Sequence, residues 1–285
     1  MSVLTLQRRR LLQGALALLV ASPRVSASAA QPTLTWGIDY GGQTDPQLAR
    51  AYQLLVLEPD HPRPIEPLRG PGSRLLGYVS LGEIERSRPF VGELELAGAL
   101  KAPNPNWPDA RFADLRHPAW KRLLLERIVP EVLAKGYDGL FLDTLDNAEA
   151  MERAGDQGMV MAALGLIKAV RQRFPDITLM MNRGYALLPA AAPYVDIILG
   201  EAMASRWSFA DKHYEMTSDA DWGWQADQLH AAKRVHPALV LATLDYWDPA
   251  DRKTVAALYR RERTAGFVPY VATLALDRLL AEQAA

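Results

Sequence analysis

Two acidic residues close apolar runs in a way that could do chemistry. Asp143 ends Gly139-Leu-Phe-Leu-Asp143, and Glu201 follows Val195–Leu199 and Gly200. A carboxylate fixed to the end of a buried strand is held rigidly, as an acid–base or nucleophilic group must be. Gly200 would let backbone approach closely beside Glu201. Two such carboxylates suit glycoside hydrolysis, where one donates a proton and the other attacks or stabilises the sugar cation. Each taken alone has a plainer reading, capping the next helix or pairing with an arginine. One of Asp146 and Asn147 is expected to cap the helix that follows, which leaves Asp143 as the catalytic candidate of its segment.

Further polar residues recur at the exits of apolar runs. Asp39 and Tyr40 follow the first run. Tyr78 and Ser80 lie in the third, with Glu83 and Glu85 after it. Asn182-Arg183 follow the fifth, Asp245-Tyr246 the seventh, and Tyr270 lies in the eighth. Trp107, Trp207, Trp222, Trp224 and Trp247 fall in or near expected loops. Sugar rings present C–H faces that pack on aromatic rings while their hydroxyls seek polar partners. About half of these aromatics are expected to be core instead.

The elements that must carry these residues are legible. Eight strands are expected at Leu34–Ile38, Tyr52–Leu57, Leu75–Ser80, Gly139–Leu142, Ile177–Met181, Val195–Leu199, Ala238–Leu244 and Val268–Thr273. Most are unbroken apolar runs, as befits strands covered on both faces of a parallel sheet. Helical spacing is expected over Pro118–Lys135, Ala148–Phe174, Asp221–Val235 and Pro249–Ala265. His61–Ser73 and Ser87–Asp114 read as loops with short helical pieces, since Pro and Gly crowd them. Alternation of this kind makes an α/β protein of βαβ units, and eight strands favour a closed (β/α)8 TIM barrel in one domain. No Gly-rich phosphate fingerprint follows the first strand, which argues against a dinucleotide fold. In such a barrel all strand C-termini open on one face, so the polar exits converge.

Composition sets outer limits. In 285 residues, 32 basic side chains balance 33 acidic ones, which gives no general attraction to nucleic acid. With no cysteine, disulfides, thiolate metal sites and cysteine nucleophiles are excluded. The five histidines lack metal-site spacing, and neither a nucleophile elbow nor a phosphate loop is present, so no metal or cofactor is expected. Residues 1–30 combine Arg8-Arg9-Arg10, a short apolar stretch from Leu11 to Val20 and an Ala27-Ser28-Ala29 site. That pattern reads as a secretory signal, with a twin-arginine flavour, cleaved near Ala29 or Ala30. Residues 31–285 are then the barrel domain, exported to the periplasm or beyond and free of the membrane once cleaved.

Gly77-Tyr-Val-Ser-Leu-Gly-Glu83, Gly136-Tyr-Asp-Gly-Leu-Phe-Leu-Asp-Thr-Leu-Asp146 and the Glu201 strand resemble glycoside hydrolase family 114. That family comprises endo-α-1,4-polygalactosaminidases and uncharacterised secreted relatives, and the hydrolase module of the Pel exopolysaccharide system is similar. The resemblance runs from about Trp36 to the last strand. It implies a barrel that cleaves polymers of galactosamine or its N-acetylated form. It also implies Asp143 and Glu201 as the pair, Glu201 the acid/base and Asp143 the nucleophile or cation-stabilising group. Asp39, Tyr40, Tyr78, Asp245 and Tyr246 would shape sugar subsites. Ser80, Glu83, Asp146, Asn182 and Tyr270 complete the expected substrate-binding set. Asp39, Glu83, Asp146 and Asp245 would make the cleft negative, which suits a cationic, partly deacetylated polymer as the substrate of a monomeric enzyme. The alternatives are a polysaccharide-binding barrel without turnover and a barrel hydrolase for another glycan.

Overall fold

The computed structural model describes residues 34–282 apart from residue 106. The expected signal segment therefore lies outside the described residues. Leu34 onward forms one compact unit.

All eight expected strands are present and lie parallel in chain order. They are β1 (Trp36–Asp39), β2 (Leu54–Leu57), β3 (Arg74–Ser80), β4 (Gly139–Asp143), β5 (Thr178–Asn182), β6 (Ile197–Glu201), β7 (Val240–Tyr246) and β8 (Val268–Ala272). Their buried runs, such as Leu-Leu-Val-Leu in β2, have apolar partners on both faces. The sheet curls into a nearly closed barrel of the (β/α)8 type. Side chains finish the closure between β1 and β8: the Trp36 indole donates to the Val268 carbonyl at 2.9 Å and packs on Tyr270 at 5.4 Å.

Where the strands end matters for the site. Several ladders run one or two residues further than the apolar runs suggest, so that Asp143, Asn182, Glu201 and Tyr246 sit inside the sheet. Ser80 pairs with Asp143, Asn182 with Leu199, Glu201 with Leu244 and Tyr246 with Ala272. Each polar side chain is thereby fixed by a ladder on a rigid wall.

Four expectations need correction. The helix expected over Ala148–Phe174 is two, Asp146–Arg153 and Met159–Arg173. Gly155 and Gly158 break it, adopting φ of 105° and 86°, a left-handed region that only glycine enters cheaply. The first of these helices begins at Asp146 behind Leu145, with no side-chain cap, so neither Asp146 nor Asn147 caps it. The segment Ser87–Asp114 holds more than loop and helix. Leu100–Pro103 and Ala110–Ala113 pair antiparallel with each other, and Glu83–Glu85 joins them as a third strand. Between β6 and β7 a further hairpin, Ser205–Ser208 with His213–Met216, was not anticipated.

Other helices match closely. Pro118–Ala134 is continuous, with a π turn at Leu124–Ile128 where Pro130 can give no N–H to the preceding turn. Asp219–Val235 and Arg252–Thr264 lie near their expected bounds.

Candidate active site

Asn182 organises the mouth of the barrel. Its Nδ2 donates to Asp143 Oδ1 at 2.8 Å and to Glu201 Oε2 at 2.7 Å, so the amide bridges the two carboxyl groups. Because one nitrogen reaches both, those two oxygens lie at most about 5.5 Å apart. Glu201 Oε1 accepts a second bond from the Tyr246 hydroxyl at 2.7 Å. Tyr78 hydrogen-bonds Asp143 and packs edge-on against Tyr40, ring centroids 5.3 Å apart. Asn182 Oδ1 and Asp39 Oδ2 are buried with no partner among the described residues.

The backbone behaves alike at three neighbouring exits. Thr144, Arg183 and Ala202, the residues that follow Asp143, Asn182 and Glu201, have φ of 61°, 46° and 54°. Left-handed backbone at a residue with a Cβ costs of order 1–3 kcal/mol and persists only where the surroundings enforce it. Hydrogen bonds supply that enforcement. Arg183 N–H donates to the Leu199 carbonyl at 2.8 Å, Ala202 N–H to the Leu244 carbonyl at 2.8 Å, and Gly82 N–H to Thr144 Oγ1 at 2.7 Å. A Cβ at Gly200 would meet Met203 and Leu229, so the glycine admits the helix Asp219–Val235 against β6.

The two carboxyl groups sit in opposite fields. Burial, and then the charge of Glu201, pushes the Asp143 carboxyl up to about 6. Burial would raise Glu201 as well, but the Arg183 charge and the bonds from Asn182 and Tyr246 outweigh it and hold that carboxyl below the usual glutamate range. Arg183 lies 3.5 Å from Glu201 Oε2 and 3.5 Å from Asp146 Oδ2. At neutral pH Glu201 is thus ionised, and near pH 6 the proton of the pair rests on Asp143. The expected division of roles needs that proton to change sides as substrate binds.

The structure gathers Asp143, Glu201, Asn182, Tyr246, Tyr78 and Tyr40 around one point, with Asp146 joined to them through Arg183. Ser80 and Glu83 stand one step away. Ser80 Oγ bonds the Glu83 carbonyl and Thr144 Oγ1, while Glu83 Oε2 accepts from Asn147 at 3.1 Å and from Asn104 at 2.5 Å. Asp39, fully buried, accepts from Gly41 N–H at 2.8 Å.

Two expected site residues lie elsewhere. Asp245 neighbours Tyr246, and alternation along β7 turns it to the outer face. There Oδ1 accepts from Ala204 and Ser205 N–H at 2.7 and 2.8 Å, beside Glu262 of the helix Arg252–Thr264. Tyr270 is buried at the β1–β8 seam, where its hydroxyl accepts from Leu280 N–H at 2.9 Å. Arg183, by contrast, was noted at a strand exit and passed over.

A nearly closed parallel barrel whose C-terminal mouth holds two carboxyl groups at this spacing is the scaffold of a glycoside hydrolase. The chain belongs to glycoside hydrolase family GH114, whose profile matches residues 20–284. It resembles the glycoside hydrolase domain of PelA from Pseudomonas aeruginosa, at 28% identity and a TM-score of 0.76, over 85% of this chain and 96% of that one. Ega3 of Aspergillus fumigatus, solved in complex with galactosamine, has the same fold at a TM-score of 0.62 and 13% identity, over 86% of this chain and 93% of that one. An uncharacterised protein of Deinococcus radiodurans is 27% identical over 270 residues, covering 87% of this chain and 83% of its own. Among the described residues no group of acidic or histidine side chains could hold a metal ion, and no helix is long and apolar enough to cross a membrane.

Proposed function

We propose that this chain is an exported glycosidase that cleaves α-1,4-linked galactosamine or N-acetylgalactosamine polysaccharide internally and with retention, Asp143 and Glu201 dividing the work of nucleophile and proton donor. The observation that carries the reading is the Asn182 bridge. It holds one oxygen of each carboxyl within about 5.5 Å of the other, an arrangement that favours a retaining over an inverting path. In the first step the ionised carboxylate attacks the anomeric carbon, the bond to the leaving sugar breaks, and the protonated partner gives its proton to the departing oxygen. In the second, water attacks the glycosyl ester, and the partner takes up the water's proton as the ester bond opens.

Substrate choice rests on the family motif together with charge. Asp39, Glu83, Asp146 and the pair itself place carboxylates at and beside the mouth, with Arg183 among them, a field that favours an ammonium-bearing polymer. Export and the boundary near residue 30 rest on the N-terminal pattern alone. The test is reducing-end release from partly deacetylated α-1,4-galactosamine polymer by residues 31–285, with the anomeric form of the new end followed by NMR. No release from that polymer, or a new end of inverted configuration, overturns the reading. Sequencing the N-terminus of exported protein checks the boundary.

A further inference from the structure

The two excursions that the apolar pattern of the barrel does not account for meet at their tips. Trp107 lies between the short strands Leu100–Pro103 and Ala110–Ala113, on the chain that leaves β3 and returns to β4. Phe209 lies in the turn of the hairpin Ser205–Ser208 and His213–Met216, on the chain that leaves β6 and returns to β7. Their rings meet edge to face at 6.4 Å and 87°. Both excursions leave the C-terminal ends of their strands, and in the sheet order β4 and β5 lie between the roots at β3 and β6. The roots therefore stand on either side of Asp143 and Asn182, the last residues of β4 and β5, and the second root follows Glu201, the last residue of β6.

Each excursion is anchored at its base and bare at its tip. Glu83 ties the first to Asn147, and Tyr214 of the second packs on Trp247 and receives Leu274 N–H at 3.2 Å. Among the described residues a ring contact joins the tips, with Trp107 57% and Phe209 67% exposed. A contact that leaves both rings mostly in water buries little apolar area, so it opens at small cost. Two exposed aromatic rings are also surfaces on which a sugar ring can stack.

We propose that Trp107 and Phe209 form a clasp across the catalytic cleft that opens to admit the interior of a glycan chain and closes over it. This rests on the glycosidase reading above. The clasp makes the enzyme selective for how substrate enters: a long chain needs it open, whereas a short oligosaccharide reaches the carboxyl pair from the side.

The native chain has no cysteine, which makes the test clean. W107C/F209C is joined by a cleavable bis-maleimide and compared with the unjoined variant on partly deacetylated α-1,4-galactosamine polymer and on a short oligosaccharide of the same sugar. Joining should lower polymer cleavage about tenfold or more while oligosaccharide cleavage stays within about twofold, and cutting the linker should restore the first. Polymer cleavage that joining leaves unchanged overturns the clasp, as does an equal loss on both substrates. Binding of the polymer, followed by co-sedimentation, separates this idea from the reading it rests on. If the protein binds polymer without cutting it, and joining blocks binding, the clasp stands and the glycosidase reading falls. If no form binds the polymer, both fall.

Discussion

Asp143 and Glu201 share one donor, the side-chain amide of Asn182, with bonds of 2.8 and 2.7 Å. The amide can face both only through its N–H2 end, since both partners are acceptors when ionised. It thus sets the separation of the carboxyl groups and favours the charged form of each. Replacing Asn182 by Ala removes both bonds and leaves two buried carboxyl groups free to move. Charge-assisted bonds of this kind are worth about 1.5–3 kcal/mol, so kcat should fall about tenfold to a hundredfold with KM little changed. Steady-state kinetics on the polymer checks this, and an unaltered kcat would remove Asn182 from the machinery.

Asp143→Asn and Glu201→Gln should each lower turnover by about 10³-fold or more, because neither amide can exchange the proton or carry the charge the chemistry needs. Stability should respond differently. The folded Asp143 carboxyl titrates near 6, above the unfolded value, so the native form holds its proton more tightly. That contribution to stability is complete below about pH 4 and is lost as pH rises through about 6. Asn carries no charge to bury, so the melting temperature of Asp143→Asn above pH 6 should equal or exceed that of the parent. A large drop there would mean that Asp143 holds the fold together.

The pair also fixes the shape of the pH–rate profile. Turnover requires one carboxyl protonated and one ionised. As pH rises through about 6 the proton is lost, and as pH falls through the depressed Glu201 value the charge is lost. kcat/KM should therefore trace a bell lying on the acid side of pH 6, its two limbs belonging to the pair jointly. A plateau extending to pH 8 would contradict this electrostatic arrangement.

Arg183 controls the acid limb. Its guanidinium is the largest influence lowering the Glu201 carboxyl. Arg183→Met removes that charge, so Glu201 should keep its proton to higher pH. The acid limb then moves upward, the bell narrows, and Asp146 loses its ion pair as well. Arg183→Lys should restore part of the shift. Equal loss of activity at every pH, with the limbs in place, would assign Arg183 a purely structural part.

Much of this was legible in the residues, and the gaps have physical causes. The eight barrel strands announce themselves because strands covered on both faces must be apolar throughout, so Leu54–Leu57 or Leu140–Leu142 cannot be mistaken for surface. The added sheet and hairpin carry no such run. Leu100–Pro103 is exposed at its end and Ser205–Ser208 is polar at three of four positions, so pairing there depends on partners distant in the chain. Asp143, Glu201 and Asn182 could be found as strand exits. Arg183 could not be chosen on that basis, because its reach to both Asp146 and Glu201 depends on a left-handed turn that no residue type there signals. Asp245 was misplaced for the opposite reason. The period of two was available, and adjacent residues of one strand cannot both face the cleft.

On the far side of that wall, Asp245 and Glu262 form a second carboxyl pair with no part in the proposed chemistry. Glu262 is fully buried, accepts from the Trp222 indole at 2.7 Å, and is pushed up to about 8 by burial and then by Asp245. Asp245 in turn holds the Ala204 and Ser205 amides, three and four residues beyond Glu201. A proton kept on Glu262 lets both groups stay buried; two charges there would repel. Because the folded Glu262 value lies above the unfolded one, its stabilising contribution is complete below about pH 4 and is lost as pH rises through about 8. Melting temperature should therefore decline across that interval in the parent and decline less in Glu262→Gln, whose amide can still accept from Trp222 and adds no charge. Differential scanning calorimetry from pH 5 to 9 reads the difference directly, and parallel curves for the two proteins would show that Glu262 keeps no such proton.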